Sequence, residues 1–107
     1  MKYKIMKLLC MFDLPMDTKK EQRIYRKFRK QLIEEGFVML QYSIYMRTCP
    51  TREFANRLTK RLKKKPPQEG NIRLLTITEK QYDDMILLVG SKSTNEEALG
   101  EERLVIL

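Results

Sequence analysis

Apolar residues in this chain fall into short runs that are separated by charged, helix-like stretches. Leu8 to Phe12 are five consecutive apolar side chains, which meet Asp13 and then Pro15. A run this short without alternation is typical of a strand buried on both faces, and the proline ends it because proline cannot donate to a ladder. We therefore predict a first strand over residues 4–13, with Asp13 at the carboxyl end of a central strand.

The next stretch predicts a first helix. Thr18 and Glu21 form a capping box, in which each side chain satisfies a free amide of the other. Gly36 supplies a left-handed cap, so the helix should end near Glu35. Its predicted buried face carries apolar residues at spacings of three and four, namely Ile24, Tyr25, Phe28 and Leu32.

Residues 37–46 are rich in β-branched and aromatic side chains. They form either one long strand or two shorter strands broken near Gln41-Tyr42-Ser43, and the sequence leaves both possibilities open. Thr48, Pro50 and Thr51 signal the start of a second helix that runs to about Lys64. The core stripe of this helix is predicted to be Phe54, Leu58 and Leu62.

The last third of the chain predicts strands over 71–78 and 85–90, joined by a helical turn that Thr78 and Gln81 cap. We predict one domain over residues 1–90, followed at 91–107 by an acidic connector and a C-terminal strand. Four exposed apolar residues at the end of the chain would be a liability, so we expect them to join a sheet. These residues are Leu104, Val105, Ile106 and Leu107.

This pattern of elements predicts a homodimer. Two helices can cover only one face of the sheet, yet residues 4–13, 37–46 and 85–89 place apolar side chains on both faces. A second copy packed sheet to sheet is the simplest cover. We expect the terminal strand to reinforce that dimer or to contact a partner protein.

Composition narrows the class of protein. The chain has 107 residues, of which 34% are charged and 42% hydrophobic, which suits one domain with a modest core. No apolar run is long enough to span a membrane and nothing resembles a signal peptide, so we expect a cytoplasmic protein. The absence of histidine excludes zinc fingers and Ser-His-Asp catalysis. Cys10 lies in the apolar run and is predicted to be a core residue.

The charge is uneven along the chain and indicates a polyanionic partner. Residues 1–65 carry 18 lysines and arginines against 6 acidic residues, whereas residues 66–107 carry 4 against 8. A basic body of this kind is most often a nucleic-acid-binding surface. The alternative is that the charge serves solubility alone.

Two groups of cations are the candidate binding residues. The first predicted helix, which begins after Thr18 and ends near Glu35, is labelled α1. The α1 basic stripe, Lys19, Arg23, Arg26 and Lys30, has the spacing of one helix face, and Lys20, Lys27 and Arg29 widen it. The second-helix cluster is Arg57, Lys60, Arg61, Lys63, Lys64 and Lys65. A solvated helix face is the alternative for both groups. Because few acids are interspersed in the stripe, we predict phosphate contacts through Lys19, Arg23, Arg26, Lys27, Lys30, Lys60, Lys63 and Lys64.

Asp13 is the candidate for a metal site. From its position alone, a turn aspartate that bonds nearby amides is the favoured interpretation, and a metal-binding or ligand-binding carboxylate is the alternative. Tyr42 and Tyr45 have the chemistry to stack on bases, although packing in the core or at an interface is favoured for both.

The order of these features resembles the CRISPR-associated protein two family. The resemblance is carried by the first strand ending in Phe12-Asp13, the basic segment Tyr25 to Lys30, Gly36-Phe37, and Gln41 to Tyr45. Gly70 to Gln81 resembles the branch that accompanies type II systems. The similarity covers nearly the whole chain through Gly90, and its specificity lies in the ordered set of segments.

This resemblance implies an α+β, ferredoxin-like βαββαβ fold with an extra C-terminal strand, and a homodimer. It also implies a place in the spacer-acquisition complex, between dimers of the integrase, CRISPR-associated protein one. Members of the family are described as magnesium-dependent nucleases, in which aspartates of two subunits share a metal, and Asp13 is the matching position.

Three hypotheses follow from the residues and the resemblance together. The first is a non-catalytic, dimeric subunit that binds double-stranded DNA through phosphates and bridges integrase dimers. The second is a Mg²⁺-dependent endonuclease acting on RNA or DNA through paired Asp13 carboxylates. The third, a plain RNA-binding module, is disfavoured because the sequence lacks an aromatic recognition signature. We favour the first.

Overall fold

A four-stranded antiparallel sheet with two helices on one side forms the body of the protein. The computed structural model describes residues 4–91, so the predicted connector and the strand at Leu104–Leu107 lie outside the described residues. The strand order is β2-β3-β1-β4. The elements are β1 (Met6–Asp13), α1 (Lys19–Glu34), β2 (Val38–Gln41), β3 (Ile44–Cys49), α2 (Arg52–Leu62), β4 (Asn71–Thr78) and α3 (Glu79–Asp83). The predicted α+β, ferredoxin-like fold is confirmed.

The predicted helix ends are confirmed in detail. Glu21 N donates to Thr18 Oγ1 at 3.1 Å, and Glu21 Oε1 accepts from Thr18 N at 2.9 Å, which completes the capping box. Gly36 has a φ of +88°, and Phe37 N donates to Leu32 O at 2.9 Å. These bonds satisfy main-chain groups that would otherwise be orphaned at the two ends of α1.

Residues 37–46 contain two strands, which decides between the two open possibilities. Tyr42 and Ser43 connect β2 to β3, and Ser43 has a φ of 63°, in the left-handed region. Serine tolerates this backbone less readily than glycine does, so no standard turn signal marked the break. The β3 strand continues beyond the predicted limit, to Cys49.

The predicted strand over 85–90 is wrong. These residues form no regular element in the described part of the chain, and Ile86 and Val89 are 79% and 89% exposed. An apolar run favours a strand only where a hydrogen-bonded neighbour is present to pair with it. Within the described residues, no strand lies beside this run to pair with it. The apolar sequence therefore predicted a strand that a single chain does not form.

The core lies between the sheet and the two helices. Alternate side chains of β1 face it, and Phe12 packs against the rings of Phe28 and Tyr45 at centroid distances of 5.3 and 5.6 Å. Of the predicted stripe on α1, Phe28 and Leu32 are buried and Tyr25 is half-buried, but Ile24 is 39% exposed. Ile24 lines an open cleft beside α1, which explains the one error in that stripe.

The opposite side of the sheet, the outer face, is apolar at its centre. Strand register pairs Leu9 with Met46 on one side and with Leu75 on the other. Leu9 and Met46 are buried, whereas Leu75 on the edge strand is 48% exposed. Towards the start of β1, Lys7 is nearly buried, donating to Thr48 Oγ1 at 2.8 Å with its Nζ 5.2 Å from the centre of the Tyr82 ring.

Candidate nucleic-acid interface

The Asp13 edge is the end of the sheet at which β1 and β2 finish and β3 and β4 begin. The sheet register places Asp13 opposite Asn71, the first residue of β4. Phe12 N donates to Ser43 O at 2.9 Å, which ties the β2–β3 turn to the same edge. Asp13 is exposed, as a rim carboxylate requires if it is to meet a ligand. Side chains alternate between the two faces along a strand, so Asp13 lies on the outer face together with Leu9 and Met11.

Asp13 fits a magnesium ion only in part. Carboxylate oxygen is the ligand that Mg²⁺ prefers, and this ion commonly keeps several waters beside one or two carboxylates. Within residues 4–91, no three His, Cys, Asp or Glu side chains are grouped so that they could hold a metal. The described part of one chain therefore does not group enough acidic side chains to hold a metal, and a second Asp13 carboxylate would have to come from a symmetry-related copy.

All four residues of the α1 basic stripe are exposed. Within the described residues, Lys30 is the member that has an acidic neighbour, with its Nζ 4.0 Å from Glu34 Oε1 on the helix surface. An exposed pair at this distance contributes little to stability. The stripe thus presents cationic groups that protein carboxylates leave largely uncompensated.

The charges of α1 are only partly arranged as its dipole favours. Helices are stabilised by acids near the N-terminus and by bases near the C-terminus, by about 0.3–1 kcal/mol each. In α1, the first turn holds Glu21 beside Lys19 and Lys20, no base lies in the last turn, and Glu34 ends the helix. The row of cations along the helix is therefore not placed to stabilise its ends.

The second-helix cluster differs in this respect. In α2, Glu53 lies in the first turn and Lys60 and Arg61 lie in the last, as the dipole favours. Arg61 also donates to both carboxylate oxygens of Glu35, at 3.0 and 3.2 Å, and this pairing raises its pKa. Much of this cluster can be explained by helix stability alone. Its predicted binding residues Lys60, Lys63 and Lys64 are nonetheless exposed.

A cleft joins α1 to the loop that follows α2. It encloses about 420 Å³ and has lysines from both sides around it, Lys20 and Lys27 from α1 and Lys65 from the loop. The cleft, which Glu21 and Glu69 also line, therefore brings lysines that flank the stripe close to Lys65 of the second-helix cluster. Their proximity could not be read from residues some 40 positions apart in sequence.

Sequence reasoning missed one contact of Tyr45 and the exposure of Tyr42. Arg29 Nε donates to the hydroxyl of Tyr45 at 2.7 Å, which satisfies a phenol whose ring is buried in the core. The packing predicted for Tyr45 is thereby confirmed. Tyr42, for which core or interface packing was also favoured, is 86% exposed. The prediction is wrong for the core, because the turn carries this ring away from the domain.

None of the helices described in residues 4–91 has the length and apolar character needed to cross a bilayer.

Comparison with known proteins identifies relatives of the whole chain. The family model described as CRISPR associated protein Cas2 matches residues 6–85. A protein of Ligilactobacillus salivarius named CRISPR-associated endoribonuclease Cas2 is 46% identical over 102 residues, which is 95% of this chain and 100% of the relative. Proteins of the same name from Campylobacter jejuni and Streptococcus mutans are 46% and 45% identical, covering 96% and 95% of this chain and 72% and 93% of their own lengths.

These matches span the sheet, both major helices and the basic surface described above. The resemblance drawn from the ordered sequence segments is confirmed at the level of the family. The chain belongs to the CRISPR-associated Cas2 family.

Proposed function

We propose that this protein is a dimeric, double-stranded-DNA-binding scaffold in CRISPR spacer acquisition, where it bridges dimers of the integrase, CRISPR-associated protein one. The observation that carries the proposal is the α1 basic stripe, whose four cations are exposed and largely unpaired within the described residues. Such a row of cations is stabilised when phosphates neutralise it and release counterions. Membership of the Cas2 family supports the proposed role in spacer acquisition.

The expected DNA contacts are to the backbone. Long, exposed lysines and arginines on a helix surface reach phosphates, whereas sequence is read by side chains inserted into a groove. Binding should therefore be similar for unrelated duplexes. In a dimer, a twofold axis repeats the stripe, so two copies of α1 would follow one duplex.

The outer face supports the dimer. Its centre is apolar, and Leu75 remains half exposed although it adjoins buried Leu9. Two such faces would bury each other, as in other aligned sheet packings. We place Leu104–Leu107 at this interface or against the integrase, and deletion of residues 103–107 should weaken one of these two associations.

Replacing Lys19, Arg23, Arg26 and Lys30 by glutamine tests the proposal. Each lost phosphate contact should flatten the dependence of log K on log salt by about 0.9. A control removes three charges outside both basic groups, at the exposed residues Lys4, Arg52 and Lys80. The stripe variant should bind all duplexes more weakly and with a flatter slope, while the control keeps most of the slope. Equal slopes in the two variants would contradict the proposal.

A second candidate function is Mg²⁺-dependent cleavage of RNA or DNA. It is favoured by the name endoribonuclease that the relatives carry and by the exposed position of Asp13 at the end of β1. Two symmetry-related Asp13 carboxylates would hold the ion, which would supply an activated water and stabilise developing negative charge.

Asp13→Asn separates the two functions, because it keeps the shape of the side chain and removes its charge. A scaffold with this substitution should still support integration of spacer DNA by its integrase partner. A nuclease should lose metal-dependent cleavage while remaining folded and dimeric. Loss of integration in a folded, DNA-binding Asp13→Asn protein would contradict the scaffold role.

A further inference from the structure

Tyr42 stands at the tip of the β2–β3 turn with 86% of its surface exposed. The other tyrosines of residues 4–91, namely Tyr25, Tyr45 and Tyr82, are all buried or half-buried. A single exposed apolar residue is ordinary on a protein surface. It is less ordinary for an exposed aromatic ring to lie on a turn that is hydrogen-bonded to the central strand and close to lysines, so this ring requires a physical explanation.

The turn is held on both sides. Ser43 adopts the left-handed backbone, and its carbonyl oxygen accepts from Phe12 N, so the turn is bonded to the central strand. Phe12 in turn is fixed by three aromatic rings of the core. The ring of Tyr42 is therefore presented from a rigid base, which lowers the entropy lost when it contacts a ligand.

The surroundings of Tyr42 suit a nucleic-acid strand. The register that pairs Met11 with Ile44, continued by the bond from Phe12 to Ser43, brings the backbone of Tyr42 beside Asp13. The start of α1 and the loop after α2 lie at the same edge. They carry five exposed lysines, Lys19, Lys20, Lys63, Lys64 and Lys65, which outnumber the exposed acids Asp13, Asp17 and Glu69. A strand whose phosphates meet these lysines would pass close to the aromatic ring.

We infer that Tyr42 stacks on an unpaired nucleobase of a strand lying across the Asp13 edge. The inference rests on the proposed nucleic-acid binding and deepens it by naming the kind of structure that is bound. A ring at the tip of a turn cannot enter a stacked duplex, where both faces of every internal base are covered. Unpaired bases, in single strands or at open duplex ends, have a free face, and aromatic side chains stack on such faces with little sequence preference.

Stacking and phosphate contact leave different signatures. Removing a phosphate contact flattens the salt dependence, whereas removing a stacked ring lowers affinity at every salt concentration and leaves the slope unchanged. The ring is also retained by phenylalanine and lost in alanine. These two differences make the inference testable apart from the proposed function.

The experiment measures binding of the full chain to a single-stranded oligonucleotide containing 2-aminopurine and to a blunt duplex. Wild type and Tyr42→Phe should quench the 2-aminopurine fluorescence. Tyr42→Ala should lose the quenching and bind the single strand at least about fivefold more weakly, with an unchanged salt slope. Its affinity for internal duplex should stay within twofold. Gln41→Ala, at the neighbouring exposed position, is the matched control and should behave like wild type.

Unaltered single-strand affinity and quenching in Tyr42→Ala would overturn the inference while leaving the duplex proposal intact. The inference would also be overturned if Tyr42→Ala weakened the dimer but bound the single strand like wild type at equal dimer concentration. Tyr42 would then be a residue of the dimer interface. If wild type binds neither substrate, the proposed function fails together with this inference.

Discussion

Arg47 Nε donates a 3.1 Å hydrogen bond to the main-chain oxygen of Glu35, the residue that caps the C-terminus of α1. The same guanidinium lies 4.9 Å from the centre of the Phe54 ring and also donates to the main-chain oxygen of Thr48. One half-buried side chain of β3 therefore joins the end of one helix to the start of the other. It also supplies the positive charge that the last turn of α1 lacks.

Arg47→Ala should lower the free energy of unfolding by about 2 kcal/mol. The variant loses hydrogen bonds from a charged donor and leaves partly buried carbonyls without a partner. Thermal or urea denaturation followed by circular dichroism measures the change. Arg23→Ala, at an exposed position, is the control and should stay within about 0.5 kcal/mol of wild type. Equal stabilities of the two variants would show that Arg47 does not hold the helices.

Substitution of three glycines should destabilise the protein in a fixed order. Gly36, Gly70 and Gly90 all have positive φ, so alanine costs about 1–2 kcal/mol of backbone strain at each. At Gly70 the added Cβ would also strike the main chain of Asp13 and Leu14, and at Gly36 it would lie 2.6 Å from Arg47 Nε. At Gly90 nothing lies within 4 Å.

We therefore expect Gly70→Ala to be the most destabilised, Gly36→Ala intermediate and Gly90→Ala the least, by melting temperature. The clash at Gly70 is with backbone atoms, which cannot move aside, whereas the clash at Gly36 is with a side chain, which can. Gly70→Ala should therefore lose more stability than Gly36→Ala. A Gly70→Ala protein as stable as Gly90→Ala would mean that Asp13 and Gly70 are not in contact.

A charged residue on the outer face should dissociate the proposed dimer. Leu75→Glu places a carboxylate in the expected interface, where burial of an unpaired charge is costly. Light scattering at micromolar concentration should report a dimer for wild type and a monomer for this variant. Ile33→Glu is the matched control, since Ile33 is 47% exposed and Leu75 is 48% exposed. A monomeric wild type would exclude the sheet-to-sheet dimer.

The two cysteines predict a loss of stability in alkali. Burial raises the pKa of the Cys10 thiol from 9.0 to about 12. The pKa of Cys49 is also raised by burial, against the opposing charges of Arg47 and Lys7. The folded state favours the neutral thiol. The contribution of the buried thiol to the free energy of unfolding is therefore complete below about pH 9 and is lost as the pH rises towards 12.

The comparison of wild type with Cys10→Ala at pH 7 and about pH 10 isolates this effect, because other titrating groups are common to both proteins. The difference in melting temperature between them should narrow at the higher pH. A constant difference would show that the Cys10 thiol ionises as readily in the folded protein as in the unfolded chain.

Local signals made most of the fold predictable. The capping box at Thr18 and Glu21 and the glycine at position 36 fixed α1, because caps depend on residues a few positions apart. The break at Tyr42-Ser43 lacked such a signal, since serine rarely takes a left-handed backbone. The misassigned strand at 85–90 failed for a different reason. The hydrophobic pattern shows that these residues are apolar, but it does not show whether a partner strand is close enough to pair with them.

The candidate site was predictable only in its components. Spacing of three and four places Lys19, Arg23 and Arg26 on one face whatever the tertiary structure is. Whether those cations meet the lysines after α2, or whether Tyr42 stands near Asp13, depends on contacts between distant segments. The shortage of acidic side chains along this face was readable from the sequence, and it is the strongest local sign of an anionic partner.

The two ends of the sheet serve different purposes. The cap by Arg47, the buried Lys7 and the glycine at 36 cluster where β1 begins, and they determine whether the chain folds. Asp13, Tyr42 and the lysines occupy the other end, where their side chains project into solvent although Phe12 and Leu14 beside them are buried. Substitution of these exposed side chains should therefore change ligand binding with little loss of folding stability, which makes this end of the sheet the place to alter specificity.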